Sequence, residues 1–127
     1  MANLANYATP FTQFTTTASD PTAATDGIAT HRGARYVHLL CKTSGTDTSV
    51  AFEVWQYWSG HDAATATTTQ WVLDRSLGSV GVHTISATGN EALLISFEAP
   101  GERIAIVPTT LAAGTLLDVD LIEVVES

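Results

Sequence analysis

The stretch AFEVWQYWSG, residues 51–60, decides the fold class because large apolar side chains occupy both sides of an extended chain. Phe52 and Val54 fall on one side of a strand, and Trp55 and Tyr57 fall on the other. β-Branched and aromatic residues favour strands over helices. A sandwich strand needs only one apolar face, since its other face normally meets water. The stretch therefore predicts a strand whose second face is also kept from water.

The chain from Gly33 onward consists of similar short segments, separated by turns that contain glycine. The segments are ARYVHLLCKT (34–43), SVAFEVWQYWS (49–59), TQWVLDRS (69–76), GVHTISA (81–87), ALLISFEA (92–99), RIAIVPTT (103–110) and TLLDVDLIEVV (115–125). With FTQFTTT near the start, they make about eight strands, whereas helix signals are nearly absent. We therefore expect an all-β fold, an antiparallel and jelly-roll-like β-sandwich of about eight strands.

Residues 1–32 differ in composition from the rest of the chain. They are rich in Thr, Ala, Asn and Asp and contain few large apolar side chains. Such a segment cannot build a core alone, but Phe11 and Phe14 could pin it onto a neighbouring surface. We therefore predict an extended N-terminal arm over residues 1–32, followed by a β-sandwich domain over residues 33–127.

Charge and hydropathy limit the partners of the chain. Its 127 residues suit one domain, and its 13 acidic against 5 basic residues give a formal net charge of -8. Such a surface repels nucleic-acid backbones and anionic lipid, so we expect no nucleic-acid or membrane partner. The start, MANLANYATPFTQF, lacks the basic and long apolar parts of a secretion signal, and no run suits a bilayer span. The expectation is synthesis in the cytosol.

Candidate catalytic and metal-binding residues are few. His61 and Asp62 share a loop, but adjacent loop residues are more often solvated than metal-bound. Asp118 and Asp120 project from one strand face about 7 Å apart, a spacing that suits paired-carboxylate glycosidases. Their alternation with aliphatic residues is nevertheless typical of a strand with one wet face. Cys41 lies in an apolar run and is expected to be buried.

Neither a nucleophile elbow nor a phosphate-binding glycine loop occurs in the sequence. A dedicated enzyme of this size ordinarily carries at least one such constellation. We therefore predict a protein that is not an enzyme and that has no cofactor and no metal.

The apolar residues on the second faces of the strands are the candidate site. They are Tyr36, Leu40, Trp55, Tyr57 and Leu94. Side by side, they would form a patch larger than a monomer surface comfortably exposes. Three explanations remain open: the N-terminal arm or a loop folds over the patch, other copies of the chain bury it, or its rings stack on sugars.

The carbohydrate explanation uses the aromatic rings as a platform. The candidate rings are those of Trp55, Tyr57, Trp58 and Trp71, and polar side chains for the sugar hydroxyls are available at Glu53, Gln56 and Asp74. Sugar sites combine apolar platforms with a few convergent polar groups, so this set permits a carbohydrate-binding module. Glycan binding is therefore the alternative to self-association.

The Thr/Ala-rich arm MANLANYATPFTQFTTTASDPTAATDG and a small body with strands such as RYVHLLCKTSG, SVAFEVWQYWSG and ERIAIVPTTLAAGTLLDVDLIEV form a distinctive combination. It resembles the small β-sandwich structural proteins of tailed bacteriophage virions, among them head decoration (cement) proteins and fibre or spike subunits. The resemblance implies a non-enzymatic virion protein, often a homotrimer, that docks on the major capsid protein or another virion protein, at the capsid surface or in the tail. It also implies that Phe11 and Phe14 anchor the arm, and that Trp55 and Tyr57 face a sister subunit.

Overall fold

The computed structural model describes residues 4–23, 25–30, 34–45, 49–58, 71–73, 81–86, 92–98 and 101–126. Within these ranges the chain forms nine β-strands and no helix. The strands are β1 (Leu4–Phe14), β2 (Ile28–Ala29), β3 (Ala34–Ser44), β4 (Ser49–Tyr57), β5 (Trp71–Leu73), β6 (Val82–Ser86), β7 (Ala92–Glu98), β8 (Arg103–Thr110) and β9 (Leu116–Glu126). The all-β prediction is confirmed, and the two-residue β2 is the strand that the sequence did not indicate.

The strands form two antiparallel sheets. One has four strands in the order β1-β9-β3-β7, and the other has five, in the order β2-β8-β4-β5 with β6 also paired to β4. β5 pairs with the C-terminal part of β4, and β6 pairs with its N-terminal part. The chain crosses between the sheets at six of the eight connections between the described strands, and this order is that of a jelly roll. The predicted sandwich is therefore confirmed.

The core lies between the two sheets and is built from alternate residues of each strand. Its fully buried members include Val37, Leu39, Cys41, Val50, Phe52, Val54, Leu117, Val119 and Leu121. Successive strand side chains point to opposite faces, so these residues share the inner faces of their sheets. Full burial of one Val, Leu or Phe side chain stabilises the fold by about 1.5–3 kcal/mol.

The N-terminal part of the predicted arm contributes a strand to the four-stranded sheet. β1 pairs with β9 along its length, with an irregularity in register between Pro10 and Thr12 at the position of Phe11. Phe14 packs against the core, whereas the side chain of Phe11 lies outside the described part of the structure. The predicted boundary near residue 32 falls within residues 31–33, which the structure does not describe, so the division into arm and domain stays a prediction.

Candidate functional site

The candidate residues lie on the outer faces of two different sheets. Tyr36, Leu40 and Leu94 belong to β3 and β7 of the four-stranded sheet, whereas Trp55 and Tyr57 belong to β4 of the five-stranded sheet. The core separates the two outer faces. The residues that would have formed one patch therefore belong to two surfaces with different surroundings.

The outer face of the five-stranded sheet is shielded from solvent around Tyr57, Trp71, Ala105 and Val107, which we call the covered face. These side chains are only 9%, 5%, 6% and 3% exposed. The rings of Tyr57 and Trp71 pack with their centroids 5.3 Å apart and inclined by 51°. Ala105 and the half-buried Trp55 complete this small apolar cluster. The second face of β4 is therefore buried at Tyr57 and half-buried at Trp55 within a single chain.

Residues 15–23 and 25–27, called the strap, supply part of this shield. The indole nitrogen of Trp71 donates a hydrogen bond of 2.9 Å to the carbonyl oxygen of Ala23. Arg103 donates from Nε to the carbonyl of Asp26 at 2.7 Å, and from Nη2 to those of Thr25 and Gly27 at 2.9 Å each. Charge-assisted bonds of this kind are stronger than neutral ones. Two side chains of the sheet thus fasten the strap to it.

The strap holds its own shape through a turn centred on Asp26. Its carboxylate oxygen Oδ2 accepts hydrogen bonds from the backbone nitrogens of Thr22 and Ala23, both at 2.9 Å. These two bonds, followed by the nearby charge of Arg103, lower the pKa of Asp26 below its usual value. Gly27 has φ of 69°, and a Cβ there would clash with the carbonyl oxygen of Ile104. The turn therefore requires glycine at this position.

A cavity of about 570 Å³ lies between the strap and β8. Phe14, Pro21 and Ile28 contribute apolar lining, and Asp20 and Asp26 contribute carboxylates. The Asp26 carboxylate already accepts two backbone hydrogen bonds within the strap. The lining also includes the hydroxyl groups of Ser19 and Thr22.

The outer face of the four-stranded sheet carries a second apolar cluster, which we call the open face. Its members are Tyr36, Leu40, Leu94, Ile122 and Val124. Leu94 is 58% exposed, and the other four side chains are half-buried. Tyr36 lies opposite Val124, and Leu40 lies opposite Leu94, whereas Ile122 lies opposite His38. This apolar group retains contact with solvent.

Polar and charged groups lie within the open face as well as at its ends. The His38 Nδ1 and Ser96 Oγ atoms lie 2.7 Å apart in a hydrogen bond across β3 and β7. At one end of the face, Lys42 lies opposite Asp118, and its Nζ is 3.9 Å from Oδ2 of Asp120.

At the other end, the guanidinium carbon of Arg35 is 5.9 Å from the ring centroid of Tyr36. Asp118 and Asp120 are thus on a wet strand face beside a lysine, as their alternation predicted. The open face is therefore mixed: its middle rows combine apolar side chains with His38, Ser96 and Asp120, and charged groups lie at its ends.

The other candidates for chemistry give no site in the described part of the chain. Cys41 is fully buried, and its burial, followed by the negative charge of Asp120, raises the pKa of the thiol to about 12. His61 and Asp62 lie outside the described residues. The described side chains include no group of three or more His, Cys, Asp and Glu that could hold a metal ion. No helix of membrane-spanning length and hydropathy occurs in the same part of the chain.

The proposed sugar platform is largely enclosed. Tyr57 and Trp71 are buried in the covered face, and Gln56 is used internally, because its Oε1 accepts a hydrogen bond of 2.7 Å from the backbone nitrogen of Gly101. Trp55 is half-buried, and its Nε1 lies 3.3 Å from Oε1 of Glu53. The two remaining candidates on described residues are Trp55 and Trp58, which is 36% exposed. Asp74 lies outside the described residues.

Sequence reasoning missed two groups of residues. Ile122 and Val124 belong to the open face, and the alternation in LIEVV, residues 121–125, was the signal that could have placed them there. Arg103 and Ala23 fasten the strap, but they contact partners 77 and 48 positions away in the sequence. A local sequence pattern does not indicate contacts between residues that are so far apart in the sequence.

Comparison with known proteins adds little to this picture. No protein-family model matches the chain, and no curated protein matches it. One similar solved structure is described as "Bacillus endospore appendages form a novel family of disulfide-linked pili". The similarity covers 99% of this chain and 85% of that chain, with 11% identity and a TM-score of 0.40. A likeness of this strength carries no argument about function.

Proposed function

We propose that this chain is a non-enzymatic structural protein that assembles with copies of itself through the open face. One observation carries the proposal: Leu94 lies opposite Leu40 on a sheet surface and is 58% exposed, whereas Tyr57 and Trp71 on the other sheet are buried. Contiguous exposed apolar surface marks contacts with other proteins. A second copy of the chain is the partner that is present wherever the protein is made.

The dimensions of the sheet suit such an interface. β3 and β9 are 11 residues long and lie in a four-stranded sheet. At about 3.3 Å per residue and about 4.8 Å per strand, the face has a projected area of roughly 600 Å². Side chains raise the accessible area above this projection, towards the roughly 800 Å² per partner of standard interfaces. A mixture of apolar and polar side chains is also typical of non-obligate protein interfaces.

We further propose that this assembly belongs to a tailed-phage virion, in which the chain is a head decoration or fibre-type subunit. Its support is the resemblance of the arm and body sequences to such proteins, together with the jelly-roll order that capsid and lectin domains also use. A homotrimer docked on the major capsid protein, without nucleic acid or membrane, is the corresponding arrangement. Because a fold hosts many functions, this location rests on analogy.

The test compares two aspartate substitutions at exposed aliphatic residues. Leu94 is 58% exposed on the open face, and Val72 is 47% exposed on β5 of the other sheet. We expect light scattering at micromolar concentration to give an oligomer for the unmodified chain and for Val72→Asp, but a folded monomer for Leu94→Asp. Circular dichroism checks the fold of each variant. A monomeric unmodified chain, or an unchanged oligomer for Leu94→Asp, would refute the proposal.

The glycan alternative now depends on Trp55 and Trp58. The partial exposure of both Trp58 and Trp55 is the observation that keeps glycan binding as a second candidate. A glycan array measures glycan binding directly. Saturable binding that is lost in Trp55→Ala, with the fold intact, would support a carbohydrate-binding module, and the absence of binding to any glycan would remove it.

A further inference from the structure

The cavity between the strap and β8 lies at the side of the sandwich where the strap connects β1 of one sheet to β2 of the other. Two of its lining residues, Phe14 and Ile28, pack against the core between the sheets. A third, Ala105, belongs to the covered face. The cavity therefore spans the edge of β8. Its volume of about 570 Å³ lies within the range of roughly 300–1,000 Å³ that is usual for small-ligand pockets.

The backbone of Ile106 faces this cavity. The carbonyl oxygen of Pro108 accepts a hydrogen bond of 3.1 Å from the backbone nitrogen of Ala18. The carbonyl oxygen of Ile104 lies against Gly27, on the same edge of β8. Ile106 is midway between these two residues, and strand residues two positions apart direct their N–H and C=O groups to the same edge. The N–H and C=O groups of Ile106 therefore point to the strap, and Ile106 lines the cavity.

The described residues of the strap form no backbone hydrogen bond with Ile106. The pairing of β2 with β8 stops where Ile28 lies opposite Ile104, and the bond from Ala18 lies beyond the gap. Ile106 is only 4% exposed, so its edge groups are largely withdrawn from bulk water. Backbone groups in such a position are normally paired with protein, ordered water or a ligand. The gap therefore offers one donor and one acceptor side by side, a pattern that an amide group complements.

The charge of the lining favours a cationic ligand. The described lining residues include the carboxylates of Asp20 and Asp26 and no basic side chain. Arg103 lies near Asp26, but its guanidinium donates to three backbone carbonyls of the strap and leaves Asp20 uncompensated. The formal net charge of -8 on the whole chain also attracts cations. An ammonium group is therefore suited to the strap side of the cavity.

We propose that the cavity binds a small ligand that carries an ammonium group, an adjacent amide and an apolar side chain. An amino-acid amide and the N-terminal residue of a peptide share this chemistry. The amide of the ligand pairs with the N–H and C=O groups of Ile106, and its ammonium lies beside the carboxylate of Asp20. Its apolar side chain packs against Phe14, Pro21 and Ile28. The site is separate from the open face, so the inference goes beyond the proposed function.

A titration with leucinamide, followed by the amide signals of the chain in NMR spectra, tests the site. We expect saturable binding, with the largest shifts at the Ile106 amide and in the strap, because the ligand completes the hydrogen bonds of this edge. Two further probes each lack one feature: N-acetyl-leucinamide has no ammonium, and isopentylamine has no amide. We expect each of them to bind about tenfold more weakly than leucinamide, since each loses one charged or hydrogen-bonded contact.

Asp20→Asn and Asp118→Asn form the matched pair of variants. Asp20 is exposed in the strap, so its substitution leaves the core intact and should weaken leucinamide about threefold without affecting N-acetyl-leucinamide. Asp118 belongs to β9 of the other sheet, and Asp118→Asn changes the net charge equally. We expect it to leave the binding of both probes unchanged. The NMR spectrum of each variant also checks its fold.

The tripeptide leucyl-glycyl-glycine separates the two sources of the ligand. Binding at least threefold tighter than that of leucinamide would identify a peptide N-terminus, and equal binding would identify a small free amide; both results support the site. The absence of a saturable shift at Ile106 with either probe would overturn the proposal, because water alone would then satisfy this edge. Equal binding of N-acetyl-leucinamide and leucinamide, or equal effects of Asp20→Asn and Asp118→Asn, would overturn it as well.

Discussion

The covered face and the open face carry similar apolar side chains, but they differ in what lies above them. On the covered face, Tyr57 and Trp71 are 9% and 5% exposed beneath the strap. On the open face, Leu94 is 58% exposed and Tyr36 is half-buried. A two-faced strand therefore indicates that something covers its second face, and the chain itself provides that cover on one sheet. On the other sheet, we propose that a second copy does.

The strap shows how a segment with few apolar residues can cover an apolar surface. Thr, Ala and Asp residues cannot form a core of their own, because they bury too little apolar area to offset the entropy of ordering. Here the backbone carbonyls of the strap are hydrogen-bonded by Trp71 and Arg103, and its turn is held by Asp26. Hydrogen bonds, rather than apolar packing, therefore hold the strap in place.

The largest expected effect on the free energy of unfolding comes from a substitution in the covered face. Trp71→Ala removes a buried indole and its hydrogen bond to Ala23, so we expect the free energy of unfolding to fall by about 3–5 kcal/mol. Urea denaturation followed by circular dichroism measures this loss. Trp58→Ala is the control, because Trp58 is 36% exposed and its truncation should cost much less. Equal losses in the two variants would contradict the picture of the covered face.

The next effect concerns the fastening of the strap. Arg103→Ala removes three hydrogen bonds to strap carbonyls, and we expect it to destabilise the fold by about 2 kcal/mol. Hydrogen exchange should also rise in residues 15–27. Arg103→Lys keeps the charge but lacks the planar fork of donors, so we expect an intermediate loss. Unchanged exchange in the strap of Arg103→Ala would show that other contacts hold it.

A smaller effect appears at low pH. The pKa of Asp26 is lowered in the folded state, chiefly by hydrogen bonds from Ala23 and Thr22, so its contribution is fully present above the pKa of the unfolded chain. The contribution is lost as the pH falls through the folded pKa, below about pH 4. We expect hydrogen exchange of the strap amides to accelerate in that range, relative to the exchange of unstructured amides at the same pH. Asp26→Asn cannot titrate and should lack this acceleration, and an identical acid profile would contradict the assignment.

The smallest effect on the fold comes from the open face. Leu94→Asp should change the free energy of unfolding of the monomer by less than about 0.5 kcal/mol, because its side chain is already wet in a single chain. Urea denaturation of dilute, monomeric protein measures it. A loss as large as that of Trp71→Ala would show that Leu94 is packed within the chain, contrary to the distinction between the two faces.

Most of the strand content was predictable because it depends on local information. Alternation over a few residues places Val37, Leu39 and Cys41 on an inner face, and all three are fully buried. The identity of the neighbouring strands is not local. Tyr36 and Tyr57 stand in similar alternating patterns, yet one is half-buried on the open face and the other is buried on the covered face.

The strap was harder to predict for the same reason. Its composition indicated only a segment without a core, and the short distance from Asp26 to Arg103 spans 77 positions of sequence. Periodicity identifies the face of a strand on which a residue lies, but the cover of that face depends on long-range topology. The arrangement of the strands in the complete jelly roll determines which apolar side chains stay exposed to solvent.

The most direct measurement is hydroxyl-radical footprinting of side chains at low and at high protein concentration. We expect Tyr57 and Trp71 to be protected at both concentrations, because their own chain covers them. Tyr36 and Leu94 should be labelled in the dilute monomer and protected in the concentrated sample. Equal labelling of Tyr36 and Leu94 at both concentrations, in a range where light scattering reports association, would contradict the claim that the open face joins the copies.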